Sequence, residues 1–101
     1  MREKEIEKYL VKRVKETGGI CEKWNSGTAG WPDRIVLLPE EKVAFVEVKA
    51  PGKKPRKIQA HRHEILRRLG FRVFVFDEKK SVDESLKELL SKEGRDGIQA
   101  T

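Results

Sequence analysis

Long apolar runs are missing from this sequence. No stretch approaches the roughly 18 consecutive apolar residues that a membrane-spanning helix needs, and the charged amino terminus carries no apolar signal segment. Cysteine is nearly absent as well. Cys21 stands alone, which excludes an intramolecular disulfide or a thiolate metal cluster within the chain, so a reducing, cytoplasmic setting is expected. At 101 residues, with 37% hydrophobic and only 7% aromatic residues, the sequence has material for one core and not two. There is no internal repeat and no low-complexity segment to suggest a solenoid or a linker.

Charge is abundant instead, at 40% of residues, with 23 Lys and Arg against 17 Asp and Glu and a net charge of +6. A basic balance of this size favours polyanionic partners, nucleic acid among them. The apolar residues are clustered with helix or strand periodicity, which is the mark of a folded domain with a very polar surface. Ile6, Tyr9, Leu10 and Val14 recur at helical spacing from Glu3 to about Thr17, and Gly18-Gly19 supplies a stop. Residues 20–25 alternate as a half-buried strand, and a flexible stretch runs from Ser26 to Gly30. Residues 33–38 and 43–49 read as two strands joined by the turn Pro39 to Lys42, short enough for an antiparallel hairpin.

Pro55 suits the first turn of a second helix ending near Leu69, with Ile58, Ile65, Leu66 and Leu69 as its buried stripe and Gly70 as its stop. The run from Phe71 to Phe76 is apolar on both faces apart from Arg72 and is expected inside the sheet. Ser81 and Glu84 have capping-box spacing ahead of a last helix bearing Val82, Leu86, Leu89 and Leu90. The fold class is therefore α/β. One domain is expected over residues 1–93, with a flexible tail over 94–101.

Glu47 and Lys49 lie two apart in a strand that is otherwise apolar, so two charges leave one face of a core strand. A sheet covered on one side only would explain them as solvent-facing. The hairpin gives them a different meaning. It carries Asp33, which follows Gly30-Trp31-Pro32, back beside Glu47, so that two carboxylates and an ammonium converge at one rim. Neighbouring carboxylates repel unless a cation lies between them, and hard ions such as Mg²⁺ prefer oxygen ligands with retained waters. Lys49 beside such an ion can position or deprotonate a water and offset charge on a phosphate, which is phosphodiester hydrolysis.

The pattern P-D-(x)13-E-x-K, here Pro32, Asp33, Glu47 and Lys49, resembles the core signature of the PD-(D/E)XK nuclease superfamily. More narrowly, GWPDRIVLLPEEKVAFVEVKAPGKKPRKIQ and LGFRVFVFD resemble the VRR-NUC nucleases, including short stand-alone members from bacteriophages and bacteria. The resemblance implies a restriction-endonuclease-like αβββαβ core, with a mixed four-stranded sheet flanked by helices and an added C-terminal helix. It implies Mg²⁺ or Mn²⁺ as cofactor, held by Asp33, Glu47 and the carbonyl of Val48, with Lys49 serving the water and Gln59 supporting the site. It also implies a glutamate from the first helix. Glu3 continues the buried stripe and is preferred over Glu7 for that role, both as a site residue and as a metal ligand.

Lys53, Lys54, Arg56, Lys57 and Arg62 follow the proposed catalytic strand and read as a track for a phosphate backbone, with Arg67 and Arg68 extending it. His61 and His63, two apart on a helix, point away from each other and are expected at the surface. Trp24 and Trp31 read as core or dimer interface ahead of base stacking, and Cys21 as a small buried residue. The expected function is a DNA endonuclease, and the resemblance implies that it is structure-selective, acting on branched DNA such as Holliday junctions or flaps, in a bacterial or phage-infected cell. It would act as a homodimer, because two strands require two sites. No membrane and no small-molecule cofactor are expected. The competing readings are a non-catalytic nucleic-acid-binding module and a basic protein-interaction subunit.

Overall fold

The computed structural model describes residues 2–91. Its elements run α1 (Glu3–Glu16), β1 (Ile20–Lys23), β2 (Arg34–Leu38), β3 (Lys42–Val48), α2 (Lys57–Arg68), β4 (Arg72–Phe76) and α3 (Lys79–Leu90). The strands form one mixed sheet in the order β1-β2-β3-β4, antiparallel except for the parallel pair β3 and β4. A parallel pair needs a long crossover, and α2 supplies it. The expected mixed four-stranded sheet with flanking helices is thus the observed one. The tail expected from residue 94 onward lies outside the described residues. None of the helices among the described residues is long and apolar enough to cross a membrane.

Side-chain alternation along the strands sorts the core into two layers. Val36, Leu38, Ala44, Val46, Val48 and Phe76 face α1 and α3, which contribute Ile6, Leu10, Val14, Val82, Leu86 and Leu89. Tyr9 Oη, at 2.7 Å, and Arg13 Nε, at 3.0 Å, both donate to the Asp83 carboxylate and join these two helices. The opposite layer is thinner. Phe45, Leu66 and Val73 form it with Trp31 and Ile35. Here the strands also carry their polar exceptions, Glu47 foremost.

The helix stops are where the glycines predict them. Gly18 has φ +87° and donates to Lys15 O, while Gly19 N–H reaches Val14 O at 3.0 Å, a Schellman arrangement. Gly70, with φ +100°, ends α2 in the same way, and Phe71 N–H reaches Leu66 O at 3.1 Å.

Four expectations need correction. β4 is an edge strand, apolar on both faces because α2 covers one side and α3 the other. α2 begins two residues after Pro55, and its inward stripe is Gln59, His63 and Leu66; Ile58 is 48% exposed and Leu69 68% exposed. Cys21 is only partly buried, since β1 is the other edge. The last helix begins at Lys79 with Glu78 as N-cap, so Ser81 is already inside it and its hydroxyl donates to Glu78 Oε1 at 3.3 Å. Only Asp77 and Glu78 separate it from β4, because it must turn at once to lay Val82 and Leu86 on the sheet.

Candidate active site

The hairpin register fixes the centre. Arg34 pairs with Val46, so one step further along Asp33 falls opposite Glu47. Trp24 N–H donates to Asp33 O at 2.8 Å, and Lys49 N–H to Phe76 O at 2.9 Å, so pairing continues past the formal strand ends on both sides. Backbone bonds therefore hold both carboxylate-bearing residues.

Glu47 is 1% exposed, on the α2 side of the sheet, among donors. Gln59 Nε2 donates to its Oε2 at 3.2 Å, Lys49 Nζ lies 3.4 Å from the same oxygen, and His63 Nε2 lies 3.7 Å from Oε1. Gln59 is itself locked, because its Oε1 accepts the Arg56 N–H at 2.8 Å at the start of α2. Only one orientation of that amide satisfies both partners. Asp33 sits at the exposed rim of the group.

Their electrostatics are divided. Burial pushes Asp33 up, reinforced by Glu47 beside it, to about 6, while Lys49 and the Val48 N–H pull the other way. For Glu47 burial is also the largest influence and acts upward. It is outweighed by His63, Asp33 and Lys49, which together hold Glu47 below the ordinary carboxylate range. Without a cation, the pair holds a proton on Asp33 only below about pH 6; above that it carries two adjacent negative charges. Among the described residues no group of three or more His, Cys, Asp and Glu side chains is arranged to hold a metal. The oxygen donors on offer are two carboxylates and backbone carbonyls.

A profile of the VRR-NUC domain matches residues 2–80. The chain belongs to the VRR-NUC family. It is 50% identical over 78 residues to "Putative nuclease p44" of Acyrthosiphon pisum secondary endosymbiont phage 1, covering 76% of this chain and 84% of that protein. A solved VRR_NUC domain superposes with a TM-score of 0.79 at 37% identity, covering 84% of this chain and 94% of that one. The family match stops at Lys80, so most of α3 lies beyond it, as an added C-terminal helix would.

In this VRR-NUC domain Asp33, Glu47, Lys49 and Gln59 are brought together, and the first-helix glutamates are not among them. The inward stripe of α1 starts only at Ile6, so Glu3, at the helix's first residue, is exposed. Glu7 accepts from Arg34 Nε at 3.0 Å on the opposite, α1 side of the sheet. There Lys4, Glu7, Lys8, Val11, Lys23 and Arg34 line a shallow cleft.

The basic segment after β3 is exposed at Lys53, Lys54, Arg56 and Lys57. Arg62 is half-buried, its guanidinium 5.6 Å from the Trp31 ring centroid. Farther along α2, Arg67 donates to Val73 O at 2.8 Å, and the exposed Arg68 donates to Glu64 at 2.7 Å. Trp24 and Trp31 pack at 6.1 Å and both meet Phe45, an aromatic cluster beside the carboxylates.

The largest correction concerns His63. Expected at the surface, it is 1% exposed and faces Glu47. The signal was available: Gln59 and His63 are one helical turn apart, so a helix that presents the first to the site presents the second too.

Proposed function

We propose that this VRR-NUC domain is a metal-dependent endonuclease that hydrolyses DNA phosphodiester bonds with Mg²⁺ or Mn²⁺, acting as a homodimer on branched or otherwise structured DNA such as Holliday junctions or flaps. The observation that carries the proposal is the adjacency of Asp33 and Glu47, one at the rim with its carboxyl raised to about 6, the other buried and held ionised. Such a pair gains most from a hard cation between its members. Mg²⁺ is served by one or two carboxylates, with waters and substrate phosphate completing the shell, so the absence of a third acidic ligand among the described residues is compatible with it.

Asp33, Glu47 and the Val48 carbonyl would hold the ion. When bound, a divalent ion supplies Lewis-acid polarisation of the phosphate and activation of water. Lys49, 3.4 Å from Glu47, places its ammonium at the same rim to orient the attacking water and to offset charge growing on the phosphoryl oxygens. Gln59 keeps Glu47 from turning away. The exposed Lys53, Lys54, Arg56 and Lys57 take the phosphate backbone leading into the site.

Two strands need two active centres, and one chain has one, which supports a two-fold dimer. Exposed Ile20, Leu37 and Phe71, on the part of the sheet that α2 leaves open, offer apolar surface for it. Preference for branched DNA rests on the family likeness.

The test is to incubate wild-type and Asp33→Ala protein with branched, flapped and linear DNA in Mg²⁺, Mn²⁺ or chelator. Cleavage by the wild type alone, with metal alone and best on branched DNA, is the expected result. Metal-independent cutting, or full activity of the variant, would overturn the reading. Binding without cutting under every metal condition would favour the non-catalytic module.

The basic segment makes a separate prediction. Replacing Lys53, Lys54 and Lys57 together by Gln should lower the slope of log affinity against log salt by up to about 2.7, at ~0.9 for each phosphate no longer neutralised. Fluorescence anisotropy across a salt series measures it. An unchanged slope would remove these lysines from the interface.

A further inference from the structure

Glu47 Oε1 and His63 Nε2 are both fully buried, both without a hydrogen-bond partner, and face each other at 3.7 Å. Two orphaned polar atoms pointed at one another are an unusual use of a small core. Apart from Gln59, the α2 layer around them is apolar, with Phe45, Leu66 and Val73. A leucine at position 63 would fill the same space without leaving an unpaired nitrogen.

The geometry around Glu47 is also lopsided. Oε2 is engaged by Gln59 at 3.2 Å and approached by Lys49 at 3.4 Å, whereas Oε1 accepts no hydrogen bond and faces the imidazole at 3.7 Å. Gln59 and His63 stand at i and i+4 on one helix, so any shift of the carboxylate toward α2 shortens both contacts together.

We infer that His63 is a positioning residue for the divalent ion: its Nε2–H takes Oε1 of Glu47 when the ion is bound and, with Gln59, fixes the carboxylate's orientation. This rests on the metal reading of Asp33 and Glu47. A rigid helix then grips Glu47 at both oxygens, so the chain rather than the ion sets the direction in which the carboxylate is offered. His63 touches neither substrate nor ion. Partners of this kind change metal affinity by about 10–100-fold when removed.

The test compares wild-type protein with His63→Leu, which keeps bulk and loses the donor, and His63→Gln, which restores an N–H. Mn²⁺ binding is measured by titration calorimetry in the absence of DNA, beside thermal melts in chelator. His63→Leu is expected to bind Mn²⁺ about 10–100-fold more weakly while still melting cooperatively in chelator, and His63→Gln to recover most of the loss. Mn²⁺ affinity of His63→Leu within twofold of wild type would overturn the inference. So would a folded His63→Gln as weak as His63→Leu.

Should the variants not fold, wild-type protein labelled with ¹⁵N-histidine is titrated with Mg²⁺. A downfield move of the His63 Nε2–H resonance supports the closing contact, and an unmoved resonance at saturation overturns it. A wild-type protein that takes up neither ion defeats the metal reading itself, which the wild-type isotherm tells apart from a failure of His63 alone.

Discussion

Asp33→Asn should lose at least about 10³-fold in cleavage rate, roughly 4 kcal/mol of transition-state stabilisation, while making the metal-free protein more stable at neutral pH. The two effects have one origin. The carboxylate that a bound cation requires is the one its own surroundings resist ionising, through burial first and Glu47 second. Asparagine keeps the shape, keeps a donor toward Glu47, and brings no second charge.

The sign of the pH dependence follows. Asp33 is raised from 3.8 to about 6 in the folded chain, so the folded state binds the proton more tightly than the unfolded one. Its contribution to stability is then fully present below about pH 4 and is lost as pH rises through about 6. Denaturant unfolding of both proteins in chelator should show a gap in favour of Asp33→Asn at pH 7 that closes toward pH 4. Protons compete with the ion over the same window, so Mg²⁺ affinity of the wild type should climb between pH 5 and pH 7. A variant that is less stable at pH 7, or one that still cuts, would contradict this account of the pair.

That pair was legible in the sequence because it depends on local rules. Alternation defined both strands, the short turn after Leu38 defined their pairing, and pairing alone brought Asp33 beside Glu47. The edge position of β4 was not legible. Apolar residues on both faces report that both faces are covered, whereas neighbours in the sheet are decided by long-range pairing, here Phe45 with Val73.

The inner face of α2 was misread for a more instructive reason. A search for apolar spacing selects Ile58 and Leu69, yet the helix turns Gln59 and His63 inward, because a buried charge on β3 demands polar partners. Hydrophobic periodicity fails where a site replaces core. Arg67 was absorbed by Val73 O, a contact that depends on where the helix lies against the sheet. For Glu3, extending the α1 stripe backward fails because the buried stripe begins only at Ile6 and Glu3 is left exposed.

Gly30→Ala should be the most damaging single methyl in the loop before Asp33. Gly30 has φ +91°, and a Cβ there would stand 2.7 Å from the carbonyl oxygen of Ile58 and 3.1 Å from its Cγ1. The left-handed conformation alone costs about 1–2 kcal/mol for a residue with a side chain, and overpacking against backbone adds about 1–3 kcal/mol. Gly52 separates the two costs, because it has φ +81° with nothing within 4 Å of the added methyl. Gly52→Ala should therefore lose only about 1–2 kcal/mol, and Gly30→Ala about 2–5 kcal/mol. For a domain of this size that is a Tm lower by roughly 8–40 °C.

The functional effect should also exceed the loss of stability. Ile58 precedes Gln59, whose 3.2 Å bond to Glu47 has little slack, so relief of the clash moves the start of α2 away from the carboxylates. At a temperature where Gly30→Ala is still fully folded, its Mn²⁺ affinity and cleavage rate should both fall, whereas Gly52→Ala should keep wild-type values for each. Equal melting temperatures for the two variants would show that the Ile58 carbonyl yields without cost, and unchanged Mn²⁺ affinity in folded Gly30→Ala would show that Gln59 does not depend on that approach.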